Sequence, residues 1–189
     1  MARPQEFNLQ QVVSKAIECF WLKGYRGTSL ADLLTAMNIS RSSFYNSFGD
    51  KRQLFEMCLQ TYSLRTEPIL NMTLLIDKLP ALEAIKQFFT LVLIIPDQEL
   101  AEKGCLLVNT IAETAAADEE LHQLAVKLMQ PVKLGFIHQL NRQFDEKSSI
   151  RHGEWLVTQL LGWRLQSQMG LSKQQLEQQI NWALTQLGR

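Results

Sequence analysis

Between Ile39 and Phe48 the chain reads Ser40-Arg41-Ser42-Ser43-Phe44-Tyr45-Asn46-Ser47, a short run mixing small polar, basic, amide and aromatic side chains. Arginine and asparagine can each make paired hydrogen bonds to a base edge, and serine hydroxyls bond several partners. On one short helix such a set could read a nucleic-acid groove. The other chemically suggestive residue is Cys105, which follows Gly104 where a helix is expected to begin. A helix N-terminus favours the thiolate, and Lys103 nearby adds positive charge. A thiol so placed could sense electrophiles or oxidants, and the alternative is a small packed hydrophobe. Cys19 and Cys58 fall on apolar helix faces and are read as packing residues. No other spacing suggests a reaction centre. There is no Ser/His/Asp set, paired carboxylates or glycine-rich phosphate loop, and His122, His138 and His152 lack metal-ligand spacing. Neither an enzyme nor a metal or cofactor is expected.

The elements that position these residues are helical nearly throughout. Asn8 can cap a first helix in which Val12, Val13, Ala16, Ile17 and Phe20 recur at helical spacing until Gly24. Thr28 or Ser29 can cap a short helix over 30–37, and a second short helix follows from Arg41 to Phe48. Asp50 with Gln53 makes a capping box for a helix running past Tyr62 toward Leu75, with a kink expected at Pro68. Pro80 opens a helix to Ile95, and Cys105 begins one reaching about Ala115. Asp118 caps a helix that carries Pro131 and ends near Phe144. Ser148 or Ser149 opens the next, to Met169, and Ser172 caps the last, to Leu187. No strand-like alternation or repeat is visible, so the fold class is all-α, with about nine helices.

Bulk composition narrows the classes further. Of 189 residues, 46% are hydrophobic and 20% charged, which suits a soluble globular chain rather than a disordered one. The 19 basic and 19 acidic side chains balance, so overall charge gives no support to a nucleic-acid partner. Residues 1–60 carry a small basic excess and the rest a matching acidic one. Three cysteines cannot complete a disulfide framework. The longest apolar run, Phe88 to Ile95 (broken only by Thr90), stops at Pro96, too short to span a bilayer. A cytoplasmic protein with no membrane partner is expected.

Two short helices joined by a tight turn, after a longer scaffolding helix, make a helix-turn-helix, whose second helix enters the major groove. Phe44 and Phe48, four apart, should face its core. The segment resembles the TetR family of transcriptional regulators. The matching residues are Gly24-Tyr25, Thr28-Ser29-Leu30-Ala31-Asp32-Leu33, Ile39-Ser40, Phe44-Tyr45-Asn46-Ser47-Phe48 and Lys51-Arg52-Gln53-Leu54-Phe55. Beyond about residue 62 the likeness is mainly one of helix count, plus Gly104-Cys105-Leu106-Leu107-Val108-Asn109, a pattern seen in one group of these regulators. The resemblance implies a DNA-binding domain over 1–49 and an effector-binding and dimerisation domain over 50–189. It implies that Thr28 caps the second helix and touches a phosphate, and that Tyr45 and Lys51 hold phosphates and set register. Lys51 as a solvated helix start and Tyr45 as a packed surface residue are the bland alternatives. Arg41, Ser42, Ser43 and Asn46 are candidates for base reading, with Ser29 and Ser40 completing the DNA-binding set.

The resemblance also implies a homodimer on double-stranded operator DNA. The last two helices are the expected interface, through Trp155, Leu156, Leu160, Trp163 and Leu165 and through Leu176, Ile180, Trp182, Ala183 and Leu187. A small-molecule effector pocket is expected among Phe88, Phe89, Val92, Cys105, Val108, Asn109, Ala112, Met129, Phe136, Trp155, Gln159 and Trp163. Core packing is the alternative for each of these residues. The resulting expectation is a regulator, by family default a repressor, released from its operator by a largely apolar ligand or by modification of Cys105. A helical adaptor that has lost DNA binding is the alternative.

Overall fold

The computed structural model describes residues 8–96 and 103–188. The N-terminal helices are α1 (Leu9–Gly27), α2 (Leu30–Met37), α3 (Arg41–Phe48) and α4 (Lys51–Ser63). Each starts at a side chain that accepts a hydrogen bond from an otherwise unpaired backbone N–H. Asn8 accepts from Gln11, Ser29 from Asp32, Ser40 from Ser43 and Asp50 from Gln53. Ser29 and Asp32 form a reciprocal capping box. Between α2 and α3, Asn38 adopts the left-handed conformation at φ 53°, which its short polar side chain tolerates. Gly24 interrupts α1 at φ 74°. A side chain there would be strained, and its Cβ would lie 3.0 Å from a carboxylate oxygen of Glu113.

Phe20, Leu33, Phe44, Leu54 and Phe55 are fully or almost fully buried together, with Phe20 and Phe55 ring centroids 4.6 Å apart. Burying each such side chain stabilises by roughly 1.5–3 kcal/mol. Leu54, Phe55, Cys58 and Leu59 tie α4 into the same cluster as α1–α3, joined by Leu106, Leu107 and Leu121 from later in the chain.

The helix capped by Asp50 breaks earlier than expected. A 3-10 turn at Leu64–Thr66 separates α4 from α5 (Glu67–Met72), and Pro68 sits in the first turn of α5. Proline has no N–H for the carbonyl four residues back and its ring crowds that carbonyl, so the ladder fails upstream of it, at Leu64. Helix α6 (Ala81–Phe89) continues into a π-turn (Thr90–Ile94). It is followed by α7 (Leu106–Thr114), α8 (Glu119–Leu140), α9 (Glu146–Gln168) and α10 (Lys173–Leu187). Helix α8 stops at Leu140 rather than near Phe144. Helix α9 begins earlier than Ser148, because Asp145 accepts from the Ser148 N–H and takes the cap. With α4 and α5 taken as one bent unit, the described residues form nine helical units and no strand. No helix among the described residues is long and apolar enough to cross a membrane.

A second cluster unites α5, α6 and α8 through α10 around Leu70, Phe88, Phe89, Phe136, Leu156 and Trp163. Phe89 meets Trp163 edge-on at 5.0 Å and Phe88 meets Phe136 at 5.3 Å.

Candidate nucleic-acid interface and internal cavity

Helix α3 divides its residues cleanly. Phe44 and Phe48 are buried in the N-terminal core, while Arg41, Ser42, Tyr45 and Asn46 are exposed. Positions 41, 42, 45 and 46 share one face because residues four apart stack along a helix. Tyr45 is 48% exposed and rests edge-on against Phe44 at 5.5 Å. Ser40 is the cap of the helix, and its hydroxyl lies 3.0 Å from that of Ser42 and 2.9 Å from that of Ser43. The face offers one cation, an amide, a phenol and hydroxyls, with no carboxylate.

Two residues of the expected set are used inside the protein. Thr28 does not cap α2, since Ser29 does. The Thr28 side chain is fully buried and its hydroxyl donates to the Gly24 carbonyl at 2.6 Å. The reason is the break at Gly24, which frees that carbonyl from its helical partner. Lys51 is half-buried rather than splayed outward. Its ammonium donates to the Tyr25 and Thr28 carbonyls at 2.8 and 2.9 Å and lies 4.5 Å over the Tyr25 ring. It braces the α1–α2 turn.

That turn is also held by the second half of the chain. The Glu113 carboxylate of α7 accepts from the Tyr25 and Arg26 N–H groups at 2.9 and 2.7 Å. Trp21 donates its indole N–H to the Lys103 carbonyl at 3.0 Å, and the Asn109 amide donates to the same oxygen at 3.1 Å. Arg52 of α4 pairs bidentately with Asp118, the cap of α8, and also with Glu120 at 2.8 Å and Glu56 at 3.1 Å. The guanidinium, followed by the Leu121 N–H, holds the Asp118 carboxyl below the ordinary aspartate range.

Behind this junction lies a cavity of about 260 Å³ between α4–α5 and α6–α9. Of the residues expected to form a pocket, Phe88, Val92, Cys105, Val108 and Met129 line it. Phe89, Phe136 and Trp163 do not, because they pack on one another in the core. Asn109 serves the Lys103 carbonyl, Ala112 is exposed, and Trp155 and Gln159 lie half-buried off the cavity wall. Sequence reasoning missed other lining residues, among them Tyr62, Leu70, Val132, Leu160 and Arg164. Cys105 is half-buried and is the N-cap of α7, with Gly104 before it at φ 71°. Burial pushes the Tyr62 phenol up, with the adjacent Cys105 thiol adding to the effect. Burial likewise pushes up the thiols of Cys58, in the core, and Cys19.

The expected dimer face needs a larger correction. Leu156, Leu160, Trp163, Leu176, Ile180, Ala183 and Leu187 are consumed by the chain's own core, and Trp155 is half-buried against it. Leu165 and Trp182 are exposed, at 58% and 66%. Leu161 and Met169, outside the expected set, extend the exposed apolar row along and just past α9.

Comparison with known proteins agrees with this geometry. The family described as bacterial regulatory proteins, tetR family, matches residues 12–58, which span α1 to α4. The uncharacterized HTH-type transcriptional regulator YezE of Bacillus subtilis is 35% identical over 147 residues, 77% of this chain and 75% of its own. The HTH-type transcriptional repressor ComR of Escherichia coli is 28% identical over 107 residues, 57% of this chain and 51% of its own. Among solved structures, a cysteine-substituted TetR family regulator, CifR, complexed with a 26-base-pair operator superposes with a TM-score of 0.81 at 23% identity. That match covers 97% of this chain and 98% of CifR. The chain thus belongs to the TetR family and is a DNA-binding transcriptional regulator.

Proposed function

We propose that the protein is a homodimeric repressor that reads operator DNA through α3 and leaves it when the cavity fills or Cys105 is modified. The observation that carries the reading is the exposed, carboxylate-free face formed by Arg41, Ser42, Tyr45 and Asn46 on a helix whose other face is locked by Phe44 and Phe48. Arg41 and Asn46 suit base edges, and an Arg–guanine pair is worth about 1–3 kcal/mol of discrimination. Ser42 and Ser43 are the further candidates for base edges, while Ser29, Ser40 and Tyr45 suit phosphates and register. Lys51 acts indirectly, by holding the turn before α2. Residues 1–49 form the DNA-reading unit and 50–189 the sensing and dimerising unit, with α4 packed into both.

Two such helices on a twofold axis reach half-sites one turn of DNA apart. The exposed Leu161, Leu165, Met169 and Trp182 supply apolar surface for that pairing. The protein acts in the bacterial cytoplasm, where its DNA lies. Cys105 is the accessible thiol on the cavity wall, which supports a reactive role.

The test is an electrophoretic shift of the purified protein on DNA upstream of its own gene, and on sites selected from the genome, with Arg41→Ala and Tyr45→Ala alongside. A salt-sensitive, sequence-selective shift is expected, with Arg41→Ala relaxing selectivity and Tyr45→Ala weakening all sequences alike. A selective shift that survives both substitutions would refute the assignment to α3. For Cys105, an unchanged shift after treatment with an electrophile, equal to that of Cys105→Ser, would remove the thiol from the mechanism.

A further inference from the structure

The cavity has a chemical polarity that narrows what it can bind. Leu70, Phe88, Val92, Val132 and Leu160 form an apolar wall. Against it stands Arg164, a half-buried residue on the turn of α9 next to Leu160. Among the described residues, no carboxylate lies within ion-pair distance of Arg164, although Arg52 and Arg142 both have such partners. Glu67 and Lys127, one of each sign, reach the cavity only as exposed side chains. The charge facing the interior is therefore positive. Arg164 is close enough for its charge to act on the Tyr62 phenol. Leu107 and Val108, in the first turn of α7, line the same space, and that turn carries no acidic residue and no side-chain cap from Cys105. Its N–H groups add to the positive potential.

We infer that this cavity takes a small carboxylic acid with an apolar body, a medium-chain or aryl acid. The carboxylate pairs with Arg164, and the hydrocarbon lies along Phe88, Val92 and Leu160. A planar guanidinium and a carboxylate match bidentately, and the partly dehydrated site strengthens that pairing. A volume of 260 Å³ equals about nine water volumes, which suits a small acid. An alcohol of equal length would keep the apolar contacts and lose the charge pairing. An amine would place like charges together. The inference names the effector class for the repressor reading and rests on it only for its regulatory consequence.

Isothermal titration of the full-length protein at neutral pH with octanoate, 1-octanol and octylamine tests it. Octanoate is expected to bind at least tenfold tighter than octanol, and octylamine weakest of the three. Arg164→Gln is expected to reduce octanoate to the level of octanol while leaving octanol unchanged, and Arg164→Lys to retain part of the preference. The inference is overturned if octanol matches octanoate, if no probe binds, or if Arg164→Gln leaves the octanoate preference intact. Should Arg164→Gln misfold, Arg164→Lys and the ranking of the three probes still decide. No DNA is present in this measurement. Failure here therefore removes the acid, whereas failure of the operator shift removes the repressor.

Discussion

Replacing Lys51 by alanine separates two roles that surface position alone would confuse. If Lys51 served only to hold a phosphate, the fold would not notice its loss. In the structure its ammonium donates to two carbonyls, at 2.8 and 2.9 Å, and sits 4.5 Å over the Tyr25 ring. Hydrogen bonds from charged donors contribute about 1.5–3 kcal/mol each, and a cation over an exposed ring about 0.5–1 kcal/mol. The raw sum is about 4–7 kcal/mol. Lys51 is only half-buried, so water can reach the abandoned carbonyls and a net loss of about 2–3 kcal/mol is expected. For a chain of this length each kcal/mol moves Tm by about 2–4 °C, giving a fall of roughly 4–12 °C. Arg41→Ala and Tyr45→Ala, both at exposed positions, should stay within about 0.5 kcal/mol of the parent. Differential scanning calorimetry of the three variants, paired with DNA titrations, checks this. A Lys51→Ala protein that melts with the parent yet binds DNA weakly would refute the bracing role and restore the simple phosphate contact.

Four further outcomes are expected. Asp118→Asn keeps a competent helix cap but removes the charge facing Arg52, so it should lower Tm at neutral pH. Because the folded Asp118 carboxyl titrates below its ordinary value of 3.8, that difference should be full above it, shrink as pH falls past it and vanish in stronger acid. In native protein Cys105 and Cys19 should react with a maleimide well before Cys58, which is fully buried with its thiol pushed up; mass spectrometry of timed samples would reveal any early Cys58 adduct. Leu165→Glu with Trp182→Glu should convert a dimer to a folded monomer by sedimentation, with an unchanged dimer refuting the face. Glu113→Gln turns an amide N–H₂ toward one of two backbone donors, so it should cost about 1–3 kcal/mol and weaken DNA binding without touching α3; an unaltered Tm and affinity would show the Glu113 contact to be idle.

What could be read from the residues follows the range of the physics involved. Caps are local, and Asn8, Asp50, Asp118 and Ser172 stand where the sequence places them. At Asp145 two cap choices competed, and the aspartate ahead of the serines won by using the Ser148 N–H. The face of α3 was legible for the same reason, since four-residue spacing of Phe44 and Phe48 dictates what points outward. The cavity was not. Phe88 and Phe89 are adjacent and equally apolar, yet one lines the cavity and the other fills the core against Trp163. That distinction depends on how α6, α8 and α9 cross, which no single helix encodes. Lys51 illustrates the same limit, because its inward turn exists only once the break at Gly24 leaves carbonyls to satisfy.

Helix α7 touches both the cavity and the DNA-reading unit, and this gives the coupling a concrete lever. Cys105, Leu107 and Val108 at its start line the cavity, while Glu113 at its end grips the backbone just before α2. Its nine residues make a rod about 13 Å long, so a tilt of about 5° at the cavity end displaces Glu113 by about 1 Å. Hydrogen bonds of 2.7–2.9 Å do not survive such a displacement without moving their donors. The donors belong to the turn that Lys51 braces, so the shift passes into the α1–α2 turn rather than dissipating there. In a dimer both turns would move, and the separation of two recognition helices must match half-sites about 34–36 Å apart. A ligand can drive this only if it binds the tilted state better than the upright one, and contacts made with the first turn of α7 differ between the two. An acid held by Arg164 on α9 and by that first turn would meet the condition, whereas a purely apolar guest resting on the α6 wall would not.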